Sequence, residues 1–220
     1  MTEIERSWDG NAAAWTTLVR SGGIASRRLV TDAVVVDAVL ALRPARVLDL
    51  GCGEGWLTRA LCDRGVSAVG ADGCAALIDA ARREGGGGFV LAGYDDLAAD
   101  PTRAGIGFDA VVANFALLHD DAVLGPLLHG LRQALAPRGA LIIQTVHPAA
   151  AGAPWRDGWR TEDFRGFGTA ADWRPMPWYF RTAGSWLALL RAAGYVLDEL
   201  REPLHPETGV PASLLMTARP

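Results

Sequence analysis

The sequence predicts an α/β fold built on a mostly parallel sheet, and three observations carry that expectation. Stretches of helical spacing close on glycine just before a short apolar run, as at Arg64-Gly65-Val66 and Ala193-Gly194-Tyr195. That rhythm belongs to strands joined by crossover helices. The run Ala140 to Val146 is apolar almost throughout, as a strand covered on both faces requires. Finally, Val47-Leu48-Asp49-Leu50-Gly51-Cys52-Gly53-Glu54-Gly55 takes a strand into alternating glycines and then into Trp56-Leu57-Thr58-Arg59-Ala60-Leu61, a strand, tight loop and helix start. Bare backbone at such a loop lets a ligand approach closely.

Composition narrows the function. With 220 residues, 50% hydrophobic and 21% charged, the chain suffices for one large domain spanning 1–220. Within it we expect an N-terminal helical cap (1–44), a ligand-binding core (45–148), an aromatic-rich lid or insertion (149–181) and a C-terminal helix and hairpin (182–220). A net charge of −4 and an isoelectric point near 5.6 argue against nucleic-acid or anionic-membrane partners and favour a small molecule. All 21 basic residues are arginine, which excludes a P-loop lysine and Schiff-base chemistry. Cys52, Cys62 and Cys74 have neither zinc spacing nor an even count, so they read as reduced thiols with no metal site. Met1 to Asn11 has no continuous apolar segment, so neither a signal peptide nor a membrane span is expected, and the cytoplasm is the default location. Oligomeric state has no signature.

In chain order, a helix is expected from Asn11 to Arg20, stopping at Ser21-Gly22-Gly23. A second follows, capped by Ser26, with Leu29, Ala33, Val36 and Leu40 at helical spacing before Arg43-Pro44. After the glycine loop, Val66 to Ala71 is the second strand, Cys74 to Arg83 a helix and Phe89 to Ala92 the third strand, leaving through Gly93-Tyr94-Asp95-Asp96-Leu97. Phe108 to Ala113 is the fourth strand, and Val123, Leu124, Leu127, Leu128, Leu131 and Leu135 form one face of a following helix. Pro137-Arg138-Gly139 turns into strand five, which ends at His147-Pro148. From Ala149 to Phe180 the rhythm fails, and eight aromatics are interleaved with Arg156, Arg160, Arg165, Arg174 and Arg181. A long loop of that kind is usually functional. A helix around Trp186, a strand from Tyr195 to Leu200 and an antiparallel closing strand around Ser213 to Ala218 complete the chain.

The glycine loop alone does not decide its ligand. A dinucleotide fingerprint needs G-x-G-x-x-G, and the sixth position here is Trp56. Pyrophosphate seeks the positive end of a helix, and Asp49 and Glu54 would repel it. Both acids suit a cation. S-adenosylmethionine is a nucleoside without phosphate that carries an ammonium and a sulfonium, and it needs an acid for its ribose. Asp72, followed by Gly73, stands at the ~20-residue interval expected of that acid.

Through Val47 to Gly55, Asp72, Tyr94-Asp95-Asp96-Leu97 and Asn114-Phe115-Ala116-Leu117-Leu118-His119, the chain resembles the class I S-adenosylmethionine-dependent methyltransferases over roughly Ala45 to Val146. The resemblance implies a Rossmann-like seven-stranded sheet in the order 3-2-1-4-5-7-6 with an antiparallel last strand. It implies S-adenosyl-L-methionine as methyl donor, held by Asp49, Gly51, Cys52, Gly53 and Gly55 at the methionine part, Asp72 and Gly73 at the ribose, and either Asp95 or the Tyr94 amide at the adenine. Asn114 and Phe115 would line the transfer site. At Gly93 the chain departs from the commoner pattern, which places an acid there. There is no Asn-Pro-Pro-Tyr-type motif after strand four, which argues against an amide or nucleobase acceptor.

Methyl transfer is an in-line displacement, so the protein supplies alignment, desolvation and, for a protonated acceptor, a base. His119 and His147 follow strand carboxyl ends and are the candidate bases; His119 reads equally as a helix-start residue. Trp15, Tyr179, Arg181 and His205 are the candidate acceptor contacts, with the arginines of the aromatic segment suiting a planar or carboxylated small molecule. His205 serves either that role or the bracing of the last hairpin, and the aromatic segment is either a lid or packing. The expected activity is methyl transfer to oxygen or nitrogen of a small molecule. The alternatives are a nicotinamide-dependent oxidoreductase, against which Asp49, Glu54 and Trp56 count, and a methyltransferase-like subunit that binds without turnover.

Overall fold

The computed structural model describes residues 2–167 and 172–220; residue 1 of the expected cap and residues 168–171 of the expected lid lie outside the described residues. The chain opens with α1 (Glu3–Arg20), eight residues before the helix expected from Asn11. Thr2 sets the start through a reciprocal cap, its hydroxyl accepting from Glu5 N–H while the Glu5 carboxylate accepts from Thr2 N–H. Ser26 does not cap the next helix; its backbone is already helical, and a single π-turn over Arg27–Thr31 leads into α2 (Asp32–Ala41).

The repeated units follow: β1 (Arg46–Leu50), α3 (Trp56–Cys62), β2 (Ser67–Asp72), α4 (Ala75–Glu84), β3 (Gly88–Leu91), α5 (Tyr94–Ala99), β4 (Phe108–Asn114), α6 (Asp121–Leu131) and β5 (Leu135–Thr145). The stretch expected only as an exit from strand three is α5, with Asp96 accepting from Gly93 N–H at its first turn. His119 does not start a helix; it lies in the loop before α6. The Pro137-Arg138-Gly139 turn is absorbed into β5 as an irregularity, because the pairing with β4 shifts between Phe108 and Ala110.

The segment expected as a structureless loop is ordered where it is described. It contains α7 (Pro148–Ala151) and a hairpin of β6 (Gly158–Glu162) and β7 (Met176–Phe180), paired Gly158 to Phe180 and Glu162 to Met176. Then come α8 (Ala183–Ala192), β8 (Val196–Arg201) and β9 (Leu214–Arg219). The main sheet runs β3-β2-β1-β4-β5-β9-β8, parallel as far as β5, with β9 antiparallel to both neighbours. With the separate hairpin set aside this is the order 3-2-1-4-5-7-6.

Strand alternation divides the core. Val47, Ala110, Val112 and Ile142 pack on α2 and α3, while Leu48, Leu50, Val111, Leu141 and Ile143 pack against α5, α6 and α8. A third cluster stands apart from the sheet: Ile4, Leu118, Phe164 and Met176, flanked by Trp8, Trp15, Phe167, Trp173 and Trp178. It joins α1 to the hairpin and roofs the carboxyl ends of the parallel strands. Among the described residues no helix is long and apolar enough to cross a membrane, and no group of three or more His, Cys, Asp or Glu is placed to hold a metal.

Candidate active site

The site is built where β1 runs into α3. Asp49 accepts from both the backbone N–H (3.0 Å) and the hydroxyl (2.8 Å) of Thr58, tying the strand to the helix beneath the loop. Gly51 (φ +71°), Gly53 (+56°) and Gly55 (+88°) hold left-handed conformations that other residues adopt at a cost. A Cβ on Gly51 would come within 2.5 Å of the Ala116 side chain, whereas one on Gly53 would meet nothing closer than Trp15, 4.0 Å away. The loop is thus pressed against the exit of β4 at Gly51 and open at its middle, at Gly53.

Asp72, at the tip of β2, accepts from Gly53 N–H (2.9 Å) and Cys74 N–H (2.8 Å). Those two bonds leave lone pairs on each oxygen for further donors. Burial raises its pKa, against the backbone bonds that lower it, and burial pushes Asp49 up to about 7. Glu54 differs, because Arg59 (2.6 Å) and Arg20 (3.0 Å) both pair with it. The negative charge offered to a ligand therefore resides on Asp72 rather than on Glu54.

From the next two strand ends, Tyr94 reaches under the loop to donate to the Ala116 carbonyl (2.9 Å), its hydroxyl held protonated by burial. Asn114 accepts from the Gln144 side chain (2.7 Å), which also donates to Thr31 O. Phe115 takes a positive φ (+52°), turning the chain toward the cavity.

These strand ends form the floor of a cavity of about 1000 Å³, and α1 with the hairpin forms its roof. That is the upper end of the ~300–1,000 Å³ typical of small-molecule sites. Gly51, Cys52, Gly53, Asp72, Gly73, Tyr94, Asp95, Asn114, Phe115, His119 and Trp15 all line it. His119 packs edge-on against Tyr94 (5.3 Å between ring centroids), and no protein group among the described residues hydrogen-bonds its ring. Desolvation lowers its pKa, so its neutral form is favoured.

Six expected contacts lie outside the lining. Asp49 is only 1% exposed and supports the loop from below. Gly55 serves the helix start, where a Cβ would strike the Phe89 ring at 2.6 Å. His147 has both ring nitrogens engaged: Nδ1 accepts from Ala149 N–H (3.1 Å) and Nε2 donates to Glu202 (2.8 Å), leaving no position to receive a proton from an acceptor. Tyr179 packs on Trp159, on the far side of β7. Arg181 is buried, bonded to Asp121 and to the His119 carbonyl. His205 bonds Glu207 N–H within the terminal turn and so braces that hairpin.

The sequence reading missed the α1 stripe of Glu5, Trp8, Asp9 and Val19 and the hairpin residues Arg160, Glu162, Phe164, Met176 and Trp178, all of which line the cavity. The Thr2 to Glu5 capping spacing was the available signal for the first group.

A sequence profile described as a methyltransferase domain matches residues 27–200. The chain belongs to the methyltransferase-domain family. It is an S-adenosylmethionine-dependent methyltransferase of the class I kind. No curated protein sequence shows a significant match to it. Similar solved structures include an S-adenosylmethionine-dependent methyltransferase from Mesorhizobium loti, 24% identical with a TM-score of 0.62, the match covering 84% of this chain and 96% of that one. A 1,6-didemethyltoxoflavin-N1-methyltransferase from Burkholderia thailandensis is 22% identical, TM-score 0.67, covering 99% and 87%. The CcbJ methyltransferase from Streptomyces caelestis is 20% identical, TM-score 0.62, covering 85% and 87%. At these identities the likeness is one of fold, and in this methyltransferase the residues above must carry the chemistry.

Proposed function

We propose that this methyltransferase transfers the methyl group to oxygen or nitrogen of a small molecule held between the glycine loop and the aromatic roof, with His119 as general base. The observation that supports it is one cavity bringing Asp72, the open backbone at Gly53 and the uncommitted His119 ring together. S-adenosylmethionine supplies an electrophilic methyl group on a sulfonium. Asp72 has lone pairs left for two ribose hydroxyls, and Gly73 and Gly93 approach so closely that a Cβ on Gly73 would be 3.1 Å from Gly93 Cα, leaving a side-chain-free wall beside Asp95 for adenine. Asn114 and Phe115 shape the transfer position. His119, neutral because its surroundings are dry, takes the proton of a protonated acceptor. The small-molecule acceptor accords with the toxoflavin-type neighbour and with a cavity closed over by its roof.

Calorimetric titration with S-adenosylhomocysteine separates the two halves of the reading. Asp72→Ala is expected to weaken binding by about tenfold or more, the loss of a charge-assisted hydrogen-bond pair. His119→Asn is expected to leave that affinity unchanged and to lower kcat by about 10²-fold or more. Undiminished affinity in the first variant removes Asp72 from the ribose; undiminished turnover in the second removes the base.

A further inference from the structure

Within the roofed half of the cavity, the aromatic walls include Trp8, Trp15, Phe164 and Trp178, and the acids that α1 and the hairpin bring to the lining are Glu5, Asp9 and Glu162. Glu162 gives one oxygen to Phe164 N–H (2.6 Å), and among the described residues neither Glu162 nor Asp9 has a cationic partner. The two guanidinium groups that reach the cavity are already committed. Arg160 donates to the carbonyls of Ala151, Gly152 and Pro154 and stacks 3.7 Å over Phe180. Arg27 pairs with Asp32 (2.9 Å) and covers Trp56. A carboxylated acceptor would meet Glu162 and Asp9 there, with no uncommitted cation among the described lining residues to receive it. An ammonium on an apolar body meets aromatic faces, which attract cations, and two carboxylates, Glu162 and Asp9, that have no cationic partner among the described residues.

Resting on the reading of this cavity as the transfer site, we infer that the acceptor is an arylalkylamine and that the product is its N-methyl derivative. The aryl body fits between the tryptophan walls and the ammonium faces Glu162 and Asp9. His119 takes one proton from the ammonium. The lone pair so freed forms the bond to the methyl carbon as the electron pair of the carbon–sulfur bond returns to sulfur. The nitrogen ends as a methylammonium, and the proton on His119 passes to water, so one proton is released per turnover.

The test uses the full chain saturated with S-adenosylhomocysteine and titrated with 2-phenylethylamine, tyramine and tryptamine, each beside its carboxylate analogue (3-phenylpropanoate, 3-(4-hydroxyphenyl)propanoate and indole-3-propanoate). At least one amine is expected to bind about tenfold more tightly than its carboxylate, and, with S-adenosylmethionine present, to gain one methyl group at nitrogen by mass spectrometry. Glu162→Gln keeps an acceptor for Phe164 N–H but removes the charge; it should weaken the amine about tenfold and leave S-adenosylhomocysteine binding unchanged. Asp9→Asn, at an exposed position of α1, should also weaken the amine if the hairpin proves intolerant of change at Glu162. If S-adenosylhomocysteine binds but no amine is preferred to its carboxylate, the amine assignment is overturned and the transfer site stands. If S-adenosylhomocysteine does not bind, both fall.

Discussion

At the scale of single residues, the decisive quantity is the charge beneath the glycine loop. Asp49 is buried with Thr58 its hydrogen-bond partner among the described residues, and burial pushes its pKa up to about 7 from an ordinary 3.8. A carboxyl whose folded pKa is raised binds its proton more tightly in the folded state. Its contribution to stability is therefore full below pH 3.8 and is lost as pH rises through about 7. Asp49→Asn retains an acceptor oxygen and cannot ionise. Relative to this variant, the wild type should lose on the order of a few kcal/mol between pH 5 and pH 8. Melting curves of the two proteins across that range check it, and parallel pH dependence would mean that Asp49 ionises without penalty. The location of these acids was legible in the sequence, but their division of labour was not. Glu54 and Asp49 looked equivalent as residues flanking a helix start, and only the fold supplies Arg20 to Glu54 while pairing Asp49 with the neutral Thr58.

At the scale of elements, the roof depends on how α1 and the hairpin hold each other. Asn11 donates to Arg174 O and accepts from Arg174 N–H, both at 2.8 Å, so its amide imitates a neighbouring strand. Trp8 and Trp15 meet edge to face at 5.3 Å, and Phe164 stacks on Trp173 at 4.9 Å. Asn11→Ala leaves Arg174 N–H without its acceptor, while the Ser7 hydroxyl still donates to Arg174 O (3.2 Å), and should cost about 1–3 kcal/mol. Hydrogen exchange should quicken in α1 and in 172–180 while the amides of β1 and β4 keep their protection. Equal loss in the sheet would show that roof and core unfold as one. The roof was the least legible part of the chain, for a geometric reason. Side chains alternate along a strand, and Arg160 pairs with Trp178 and Glu162 with Met176, so these even-numbered positions face the cavity. Tyr179 and Arg181 have the opposite parity and turn away. Without a short turn between Glu162 and Met176 nothing in the sequence specified that register. The repeating units, by contrast, were legible because each strand, glycine stop and helix is encoded locally.

At the scale of the whole molecule, one cavity has its floor on the sheet and its roof on elements that pack into a separate hydrophobic cluster. A ligand that occupies it touches both floor and roof, so binding must couple them. Saturation with S-adenosylhomocysteine at about 100 times Kd adds roughly 2.7 kcal/mol to folding stability, as any ligand of the native state alone does. For a domain of this size that should raise Tm by roughly 5–10 °C. The distribution of the gain is the sharper measurement. If α1 and the hairpin close the site, their amides should gain hydrogen-exchange protection together with Gly51 to Gly55, although the roof lies far from those glycines in sequence. Protection confined to the glycine loop and the tip of β2 would mean that the donor is held by the floor alone, and that the roof answers only to the acceptor. The Asn11→Ala variant then separates the two contributions: with its clamp gone, the loop should still be protected by S-adenosylhomocysteine, while the protection of α1 should fall away.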